Sequence, residues 1–589
     1  MTAGGSTTVR AVFNNGTGSI DQGIGSIQSG LSVSTGPLAA DRTFTLTVRN
    51  SDGKIVTSQL TVHAVPAPVI DGFTATPDVV VPGQAVTLMW SVSGAATLKM
   101  DHGVGTVSGT STVVTASTMT TYTLTATNAA GSTTSATALV NVVVSGLPRI
   151  HVDRSGATAV FRDPDGRRFI PRGSSYVRLN WSEGGHHSTF QPGLYSSSTV
   201  ETALSTMEHF GYNIVRVFID HGENSRSTGI NGAWATPGLD PAYMTNVSDF
   251  LLRATQHHIY VLFALEYLPF NQHYTALMSP SNPGMSGSNT FWLDGPAMQA
   301  KKAFVTDLVD GFAIRLGAGL LSTVFAYELE SEMFYEGNRL PFSSVTGSVT
   351  TADGATYSLA DPAEREAAAD NNMVFYANLL TDAIKARDPG AMTTLGAFTY
   401  HAVGKPGPAG LPVPGAAEDQ RFAIRISMLP AKSRLDFIDL HTYPLGPGYT
   451  LADDLASSEW SALPPSCPVL MGEFGAFNMF YPDVNVAAAL MRDHQIEAWN
   501  RGFAGFLFWT YDTDDQPWPR LWTLMDANGA INQVLAPLYR PDPSSPNPVK
   551  FTTLSESAQI PASDPPANPR TPAIPSSSTS KERRTPNLP

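Results

Sequence analysis

The sequence of 589 residues contains one cysteine and few charged residues. The single cysteine, Cys467, excludes an intramolecular disulfide and a CxxC metal site. Because Cys467 lies in the apolar run "CPVLMGEF" (467–474), it is interpreted as a structural thiol and not as a nucleophile. Charged residues make up 15% of the chain, and the net charge is −14. A chain without a basic excess is not expected to bind nucleic acid or an anionic membrane surface.

Three further sequence signals are missing. No apolar run of about 18 residues occurs, so no membrane insertion is predicted. The start, "MTAGGSTTVRAVF", lacks the basic and then apolar order of a signal peptide. Neither G-x-G-x-x-G nor G-x-x-x-x-G-K-[ST] occurs between a predicted strand and a predicted helix, which argues against a phosphate-binding loop. The composition therefore predicts a soluble, acidic protein, and the length predicts two to four domains.

The first part of the chain has the pattern of a β-structure. Alternating residues in "TFTLTVR" (43–49) and "TYTLTAT" (121–127) are typical of antiparallel strands with one buried face. Residues 20–62 align with residues 100–142, and the resulting period of roughly 80 residues suits a small β-sandwich. The second copy, which opens with "PVIDGFTATPDVVVPGQAVTLMWSVSG" (68–94), resembles bacterial immunoglobulin-like repeats.

The two copies differ at their start, because the first has no equivalent of residues 68–84. We therefore predict a partial immunoglobulin-like repeat over 1–66 and a complete immunoglobulin-like β-sandwich over 67–145. The difference favours an N-terminally shortened piece of a longer secreted protein. At the other end, residues 541–589 are rich in Pro and Ser and nearly free of aromatic residues. They are predicted to be disordered, because they cannot bury enough apolar surface to offset chain entropy.

Residues 148–540 alternate between short apolar runs and amphipathic stretches. The predicted strands are 168–173, 213–218, 259–265, 323–329, 393–399, 437–443, 468–474 and 504–510. Amphipathic stretches such as 200–211, 364–387 and 486–502 predict helices between them. Eight strands that alternate with helices favour a (β/α)8 TIM barrel, with a doubly wound open sheet as the alternative.

Polar residues collect where the predicted strands end. The fourth strand ends in "YELESE" (327–332), the sixth in "HTY" (441–443), the seventh in "GEFG" (472–475) and the eighth in "FWTYD" (508–512). In a TIM barrel the active site lies at the C-terminal ends of the strands. Two carboxylates at one barrel mouth indicate cleavage of a glycosidic bond, which needs a general acid and a nucleophile or base.

Glu332 and Glu473 are the predicted pair of carboxylates. They follow the fourth and seventh strands, whose ends lie across the mouth of a barrel from one another. Cleavage requires that the pKa of the acid be raised while the nucleophile stays ionised. His441 and Tyr443, from the strand between, are expected to hydrogen-bond the nucleophile and to help separate the two pKa values.

The ordered set of motifs resembles glycoside hydrolase family 5, a family of retaining TIM-barrel glycosidases. The motifs are "DPDGRRFIPRG" (163–173), "GYNIVRVF" (211–218), "VFAYELESE" (324–332), "HTY", "GEFG" and "FLFWT" (506–510). The resemblance implies that Glu332 is the acid/base and that Glu473 is the nucleophile. It also implies substrate-binding roles for five side chains: Arg216, Ser331, His441, Tyr443 and Trp509, the last as a platform under the sugar.

Three positions depart from the family pattern. Ser331 stands where the family has an asparagine that bonds the sugar 2-hydroxyl. The histidine that ends the third strand in the family has no counterpart in "VLFALEYLP" (261–269). In the first strand, "GSSY" (173–176) stands where an asparagine is typical. These departures indicate an outlying branch and leave open a reduced or altered activity.

Other side chains compete for these roles. Glu328 and Glu330 share the strand parity of the predicted acid/base, and Glu336 follows closely. Tyr400 and His401 are weaker candidates for the site. No metal site is predicted, because adjacent histidines, as at 186–187 and 257–258, point apart on a strand or a helix. The segment "DTDD" (512–515) is interpreted as a solvated loop and not as a calcium site.

The predicted function is a retaining, endo-acting β-glycoside hydrolase that cleaves a polysaccharide such as β-glucan or β-mannan without a cofactor. The protein is expected to be bacterial, extracellular or at the cell surface, and monomeric, with the immunoglobulin-like domains as spacers or attachment modules. An inverting mechanism is the enzymatic alternative. The alternative from another class is a catalytically weakened carbohydrate-binding or cell-surface protein on a degenerate barrel.

Overall fold

The computed structural model of the protein describes residues 1–180, 186–222, 228–405, 419–446, 448–513 and 520–547. The chain forms two compact units, residues 1–144 and 145–589. The prediction of a disordered tail falls almost entirely on residues outside the described ranges, since these end at residue 547. No helix in the described ranges is both long enough and apolar enough to cross a membrane.

The N-terminal unit consists of β-strands in two consecutive sets. The first set contains the pair Thr8–Arg10 and Ser32–Ser34, and a four-stranded sheet of Gly25–Ile27, Thr17–Ile20, Arg42–Arg49 and Ile55–Val62. The second set contains a five-stranded sheet of Gly105–Val107, Thr97–Met100, Thr120–Thr127, Thr133–Val142 and Val79–Val80, and a three-stranded sheet of Ser111–Thr115, Ala85–Ser93 and Val69–Thr76. Each set encloses its own apolar core, with Phe44 in the first and Trp90 and Leu124 in the second.

The two sets share a local contact at equivalent positions of the repeat. Asp21 accepts a hydrogen bond from the Thr45 backbone N–H at 2.7 Å, and Asp101 accepts one from the Thr123 N–H at 2.8 Å. In both cases the carboxylate joins a turn to the neighbouring strand. The repeated contact agrees with the internal repeat in the sequence, while the immunoglobulin-like identity of the two sets stays a prediction.

The first set has six strands and the second has eight. Val79–Val80 of the second set is matched in the first by a single parallel bridge between Thr2 and Val65. No strand of residues 1–66, all of which are described, corresponds to Val69–Thr76. Along Ile55–Val62, which pairs with Arg42–Arg49, Val56 and Leu60 are 70% and 53% exposed.

The C-terminal unit is built around a closed parallel barrel. Its strands, numbered here as barrel strands 1 to 8, are Arg172–Ser175, Ile214–Ile219, Tyr260–Leu265, Val324–Glu328, Thr393–Thr394 with Gly396–Phe398, Ile438–His441, Val469–Phe474 and Gly505–Phe508. Barrel strands 2, 3 and 7 read IVRVFI, YVLFAL and VLMGEF and are buried along their whole length, as expected for strands that are covered on both faces.

Closure is visible in the pairing of barrel strand 1. Gly173 lies opposite Ile214 of barrel strand 2 and also opposite Leu507 of barrel strand 8. Barrel strand 5 is divided at Leu395, so that its first part pairs with barrel strand 4 and its second part with barrel strand 6. All of these pairings are parallel, so the predicted TIM barrel is confirmed and the doubly wound alternative is wrong.

The predicted limits of the first barrel strand, 168–173, are wrong. Arg168–Phe169 pairs instead in a small antiparallel sheet with His151–Asp153 and Val160–Arg162, and the barrel strand begins at Arg172. Pro171 separates the two strands and cannot donate a backbone hydrogen bond to either sheet.

Helices connect most of the barrel strands. The longer ones are Ser197–His209, Pro241–Gln256, Gly295–Leu316, Pro362–Lys385, Leu451–Ser457 and Val484–Asn500, and the short ones are Gln272–Thr275, Asn289–Leu293, Leu429–Lys432, Asp526–Gly529 and Asn532–Leu535. The side chains of Asp240 and Asp361 each accept a hydrogen bond from a backbone N–H in the first turn of the following helix. Each aspartate also directly precedes a proline at the first helical position. An aspartate cap followed by proline is a favoured helix start, which explains where these two helices begin.

An apolar cluster closes the barrel at the N-terminal ends of its strands. Phe161, from the small antiparallel sheet, is buried edge-on against Phe325 and Phe437, with ring centroids 5.2 Å apart in both pairs. Leu147 and Ile150 join the same cluster. With this end filled by apolar side chains, polar chemistry is left to the other end of the barrel.

We expect Phe161→Ala to lower the free energy of unfolding of the barrel by about 3–5 kcal/mol, because it removes buried contacts and leaves a cavity. Urea denaturation followed by tryptophan fluorescence measures the change. The exposed Ile314→Ala serves as control and should stay within about 0.5 kcal/mol of the wild type. Equal effects of the two substitutions would contradict the packing described for this end of the barrel.

Candidate active site

Arg216, on barrel strand 2, is the centre of a buried ion-pair network. Its Nε and Nη2 donate to the two oxygens of Glu328 at 2.7 and 2.9 Å. Its Nη1 donates to Glu473 Oε1 at 2.6 Å, and Nη2 also donates to Ser331 Oγ at 2.8 Å. The planar guanidinium fork suits such bidentate pairing. One cation therefore positions side chains from barrel strands 4 and 7.

Glu473, on barrel strand 7, is held from both sides. Oε1 accepts from Arg216, and Oε2 accepts from the Tyr443 hydroxyl at 2.7 Å. The Glu473 side chain is almost completely buried. With both oxygens bonded, the carboxylate has one fixed orientation, which is what a nucleophile that attacks a bound substrate requires.

His441, on barrel strand 6, lies between the two predicted catalytic carboxylates. Its Nδ1 donates to Glu332 Oε1 at 3.0 Å and is 3.5 Å from Glu473 Oε2. The three ligand atoms that these residues offer all lie within 4.8 Å of one another. His441 is expected from the sequence to bond the nucleophile, but its closer contact is to Glu332. Both carboxylates thus lie beside the same ring nitrogen of His441, Nδ1.

Glu332 lies just past barrel strand 4 in an unusual backbone conformation. Its φ of 53° is in the left-handed region, which costs a residue with a side chain about 1–2 kcal/mol. Gly396 on barrel strand 5 permits this turn, because a Cβ there would lie 3.0 Å from the Glu332 N and 2.9 Å from the Glu330 O. The same Cβ would lie 2.3 Å from Glu328 Oε1.

The rival glutamates are occupied elsewhere. Glu328 is completely buried by its pairing with Arg216, and Glu336 is nearly buried and accepts from the Ser288 N–H at 2.7 Å. Glu330 is buried and accepts from Lys301 at 2.5 Å and from Tyr376 at 2.9 Å. The Glu332 side chain, by contrast, is 35% exposed. Of these four glutamates, Glu332 is the one that a substrate can reach.

The buried Lys301, on helix Gly295–Leu316, contacts the end of barrel strand 3. Its Nζ donates to Glu330 and to the backbone carbonyls of Leu265 and Tyr267, which end barrel strand 3. Charge-assisted bonds from one ammonium therefore join the ends of barrel strands 3 and 4.

The remaining predicted residues have different surroundings. Trp509, after barrel strand 8, is 5% exposed and meets Phe218 edge-on, with ring centroids 5.6 Å apart. Most of its ring is covered by protein, so a platform role would use the small part that is open. Tyr400 packs in a separate apolar cluster, and His401 lies 3.9 Å from Asp454. The latter two are not brought to the carboxylates.

The expectation that adjacent histidines point apart is wrong at one pair. His257 and His258 both bond the carboxylate of Glu208 through Nδ1, at 2.8 and 2.9 Å. Among the described residues, two groups have the spacing of metal ligands, and both contain His441: Glu328–Asp439–His441 and Glu332–His441–Glu473.

Sequence reasoning missed Asp439. This completely buried carboxylate lies on barrel strand 6, two residues before His441, and its Oδ1 is 3.7 Å from His441 Nε2. The signal was present in the sequence, because residues two apart on a strand share a face. Once His441 was assigned to the barrel interior, "IDLH" placed Asp439 there too.

Burial and neighbouring charges order the protonation of the site. Burial raises the pKa of Glu473 despite the charges of His441 and Arg216. Burial acts in the same direction on Glu332, but the hydrogen bond and charge of His441 outweigh it and lower the pKa of Glu332. Burial disfavours the charge of His441, yet the carboxylates of Glu473, Glu332 and Asp439 raise its pKa to about 9.

This order differs from the expected one, in which the acid has the raised pKa. The physical reason is that His441 lies nearer to Glu332 than to Glu473, while the charge of Arg216 is shared between Glu473 and Glu328. At neutral pH, in the absence of substrate, His441 is therefore protonated and Glu332 is ionised.

No model of a known protein family matches the chain, and no curated protein matches its sequence. Several solved structures are similar to it at low identity. The exo-beta-1,4-mannosidase Op5Man5 from Opitutaceae bacterium strain TAV5 is 18% identical over 60% of this chain, with a TM-score of 0.39, and the match spans 54% of that protein. The beta-mannanase from the blue mussel Mytilus edulis is 18% identical, with 68% and 99% of the two chains covered and a TM-score of 0.39. The endo-1,4-beta-D-mannanase from Thermotoga petrophila RKU-1 is 15% identical, with 62% and 99% covered and a TM-score of 0.41.

We expect Gly396→Ala to lower the free energy of unfolding by about 1–3 kcal/mol, because the new methyl group overpacks the Glu328 carboxylate and the backbone before Glu332. Thermal unfolding measures this change. The control is the exposed Gly319→Ala, where a Cβ meets nothing within 4 Å, and it should stay within about 0.5 kcal/mol of the wild type. An unchanged stability of Gly396→Ala would contradict the close approach of barrel strands 4 and 5.

Proposed function

We propose that the protein is a retaining β-glycoside hydrolase with Glu332 as acid/base and Glu473 as nucleophile. The observation that carries the proposal is the approach of the two carboxylates, which lie within 4.8 Å of one another at their nearest oxygens. Retaining enzymes hold their two carboxyl groups about 5–5.5 Å apart, whereas inverting enzymes need about 6.5–9.5 Å to admit a water. The spacing favours a covalent intermediate over direct attack by water.

The surroundings of the two glutamates suit different roles. Glu473 is buried and fixed by Arg216 and Tyr443, so it can attack the anomeric carbon along one line. Glu332 is more exposed and bonds to His441 alone among the described side chains, so it can reach the leaving oxygen. This difference supports the assignment that the family resemblance implied.

The reaction follows in two steps. Glu332, once protonated, gives its proton to the glycosidic oxygen while Glu473 forms a bond to the anomeric carbon. Glu332 then takes a proton from water, whose oxygen displaces Glu473 and restores the free site. Arg216 and Tyr443 bond the Glu473 carboxylate and favour its ionised form as the leaving group of the second step.

The substrate is proposed to be a β-linked polysaccharide such as β-glucan or β-mannan, cleaved within the chain. Ser331 Oγ accepts from Arg216, which leaves its own proton free to point at a sugar hydroxyl. A serine is shorter than asparagine, so this contact is proposed to be weak. Extracellular or cell-surface location, a monomeric state and spacer roles for the N-terminal domains remain part of the proposal.

A panel of β-glucans, mannans and xylan, assayed for new reducing ends and for loss of viscosity, tests the substrate and the endo action. We expect Glu473→Ala to lower kcat/KM at least about 10³-fold, and Glu332→Ala to lower it about 10²–10⁴-fold on polysaccharide. Glu332→Ala should retain the first step on a dinitrophenyl glycoside, whose leaving group needs no proton.

Azide separates the two roles. In Glu473→Ala, azide takes the place of the nucleophile and should give the α-glycosyl azide. In Glu332→Ala, it should attack the covalent intermediate and give the β-glycosyl azide.

Glu497→Ala, which removes an exposed glutamate paired with Arg501, serves as control and should keep the wild-type rate. Wild-type hydrolysis that survives Glu473→Ala would overturn the assignment, and polysaccharide retention without turnover would favour the carbohydrate-binding alternative.

A further inference from the structure

Asp439 is a buried carboxylate without a hydrogen-bond partner. Within the described residues, neither of its oxygens has a partner, and the same holds for Nε2 of His441 on the adjacent layer of the barrel interior. The two groups face one another at 3.7 Å, slightly beyond hydrogen-bond distance. Since an isolated buried carboxylate is costly, Asp439 must either carry a proton or take one from this imidazole.

The barrel is shaped to hold this carboxylate. A Cβ on Gly472 would lie 2.0 Å from Asp439 Oδ1 and 2.1 Å from Oδ2, so any other residue at 472 would displace it. Gly472 immediately precedes the proposed nucleophile, Glu473. The strand that carries Glu473 therefore also leaves the room that Asp439 needs, at Gly472.

A proton suits this position better than a metal ion does. Glu328 completes the group of possible ligands, 4.0 Å from His441 Nε2, but both of its oxygens already accept from Arg216. A divalent cation placed there would lie beside the buried guanidinium and would be repelled by it. A proton adds one positive charge and needs no further ligands.

The charge balance also calls for a proton. The carboxylates that face His441 are Glu328 and Glu332 from barrel strand 4 and its end, Asp439 from barrel strand 6 and Glu473 from barrel strand 7. Arg216 from barrel strand 2 is bonded to two of them, and the charge of Arg421 acts on Glu332. Burial, with the charge of Glu328, raises the pKa of Asp439 to about 7. Four buried or half-buried carboxylates thus outnumber Arg216, Arg421 and His441, the cationic side chains that act on them.

We propose that Asp439 and His441 form a proton-holding pair beneath the catalytic glutamates, in which His441 passes a proton to Glu332 and Asp439 keeps His441 protonated until it does so. Asp439 is a positioning residue, since it acts through His441 and does not touch the sugar. The inference rests on the proposed glycosidase function and explains how an ionised Glu332 becomes the acid.

Over one turnover, the proton that leaves His441 is replaced. The N–H bond at His441 Nδ1 breaks as an O–H bond forms at Glu332 Oε1, 3.0 Å away, leaving a neutral imidazole and a neutral carboxyl. Glu332 then gives this proton to the glycosidic oxygen. In the second step Glu332 takes a proton from the attacking water and returns it to His441.

NMR of the protein with ¹³C-labelled histidine rings tests the pair. The His441 signal is identified by its loss in His441→Gln. In the wild type, we expect His441 to titrate near pH 9, with a smaller inflection near pH 7 when Asp439 ionises. Asp439→Asn removes a neighbouring negative charge, so the main step should fall by at least about one pH unit. The inflection near pH 7 should disappear.

The activity profile gives a second readout. Because the proton donor is lost at lower pH in Asp439→Asn, the alkaline limb of kcat/KM on polysaccharide should fall by the same amount. The first step on a dinitrophenyl glycoside, which needs no proton donor, should be nearly unchanged. Asp454→Asn, which removes a different buried carboxylate, serves as control and should leave the His441 titration in place.

Several outcomes would overturn the pair. A wild-type His441 that titrates near its ordinary pKa of about 6.5, or an Asp439→Asn titration that matches the wild type, contradicts it. If Asp439→Asn does not fold, the two-step titration of the wild type decides alone. If the protein cleaves no glycoside but the NMR shifts appear as expected, the pair stands and the proposed function fails.

Discussion

The fork between Arg216 and the carboxylates of Glu328 and Glu473 is the interaction on which the site depends. A buried guanidinium is stable only when its charge is balanced, and a buried carboxylate is subject to the same constraint. Burial opposes the charge of Arg216, but Glu328 and Glu473 hold its pKa above the usual range. Loss of the arginine would leave these two buried carboxylates unpaired. It would also remove the contact that joins barrel strands 4 and 7. The same ion pairs that hold the barrel interior together therefore fix the orientation of the proposed nucleophile.

Two glycines make room for this chemistry. Gly396 lets barrel strand 5 approach the Glu328 carboxylate and the turn that carries Glu332, and Gly472 lets Asp439 lie against barrel strand 7. In a close-packed interior, such space must be left by the neighbouring side chains. Both glycines lie opposite a carboxylate, so the sheet and the polar layer within it fit together as one arrangement. The other end of the barrel is different, because there the interior is filled by an apolar cluster that includes Phe161.

The alternation of short apolar runs with amphipathic stretches was enough to predict the barrel, because few other folds are compatible with eight such repeats. They also placed Glu332, His441, Tyr443 and Glu473 at strand ends. The sequence could not show that His441 bonds Glu332 more closely than Glu473, since that depends on distances of a few tenths of an ångström. The first barrel strand was misplaced because Pro171 divides one apolar run between two sheets. Asp439 was overlooked although strand parity placed it beside His441, and the Lys301–Glu330 pair joins residues whose proximity no local pattern indicates.

In the proposed reaction, Glu473 forms a covalent bond to the sugar while Glu332 supplies the proton. Mass spectrometry of the protein after reaction with 2,4-dinitrophenyl 2-deoxy-2-fluoro-β-glucoside and the corresponding mannoside tests this claim most directly, because the fluorine slows breakdown of the intermediate. We expect a single added fluorosugar on the peptide that contains Glu473, and no addition in Glu473→Ala. A fluorosugar on Glu332, or hydrolysis of polysaccharide with inversion and no covalent adduct, would contradict it.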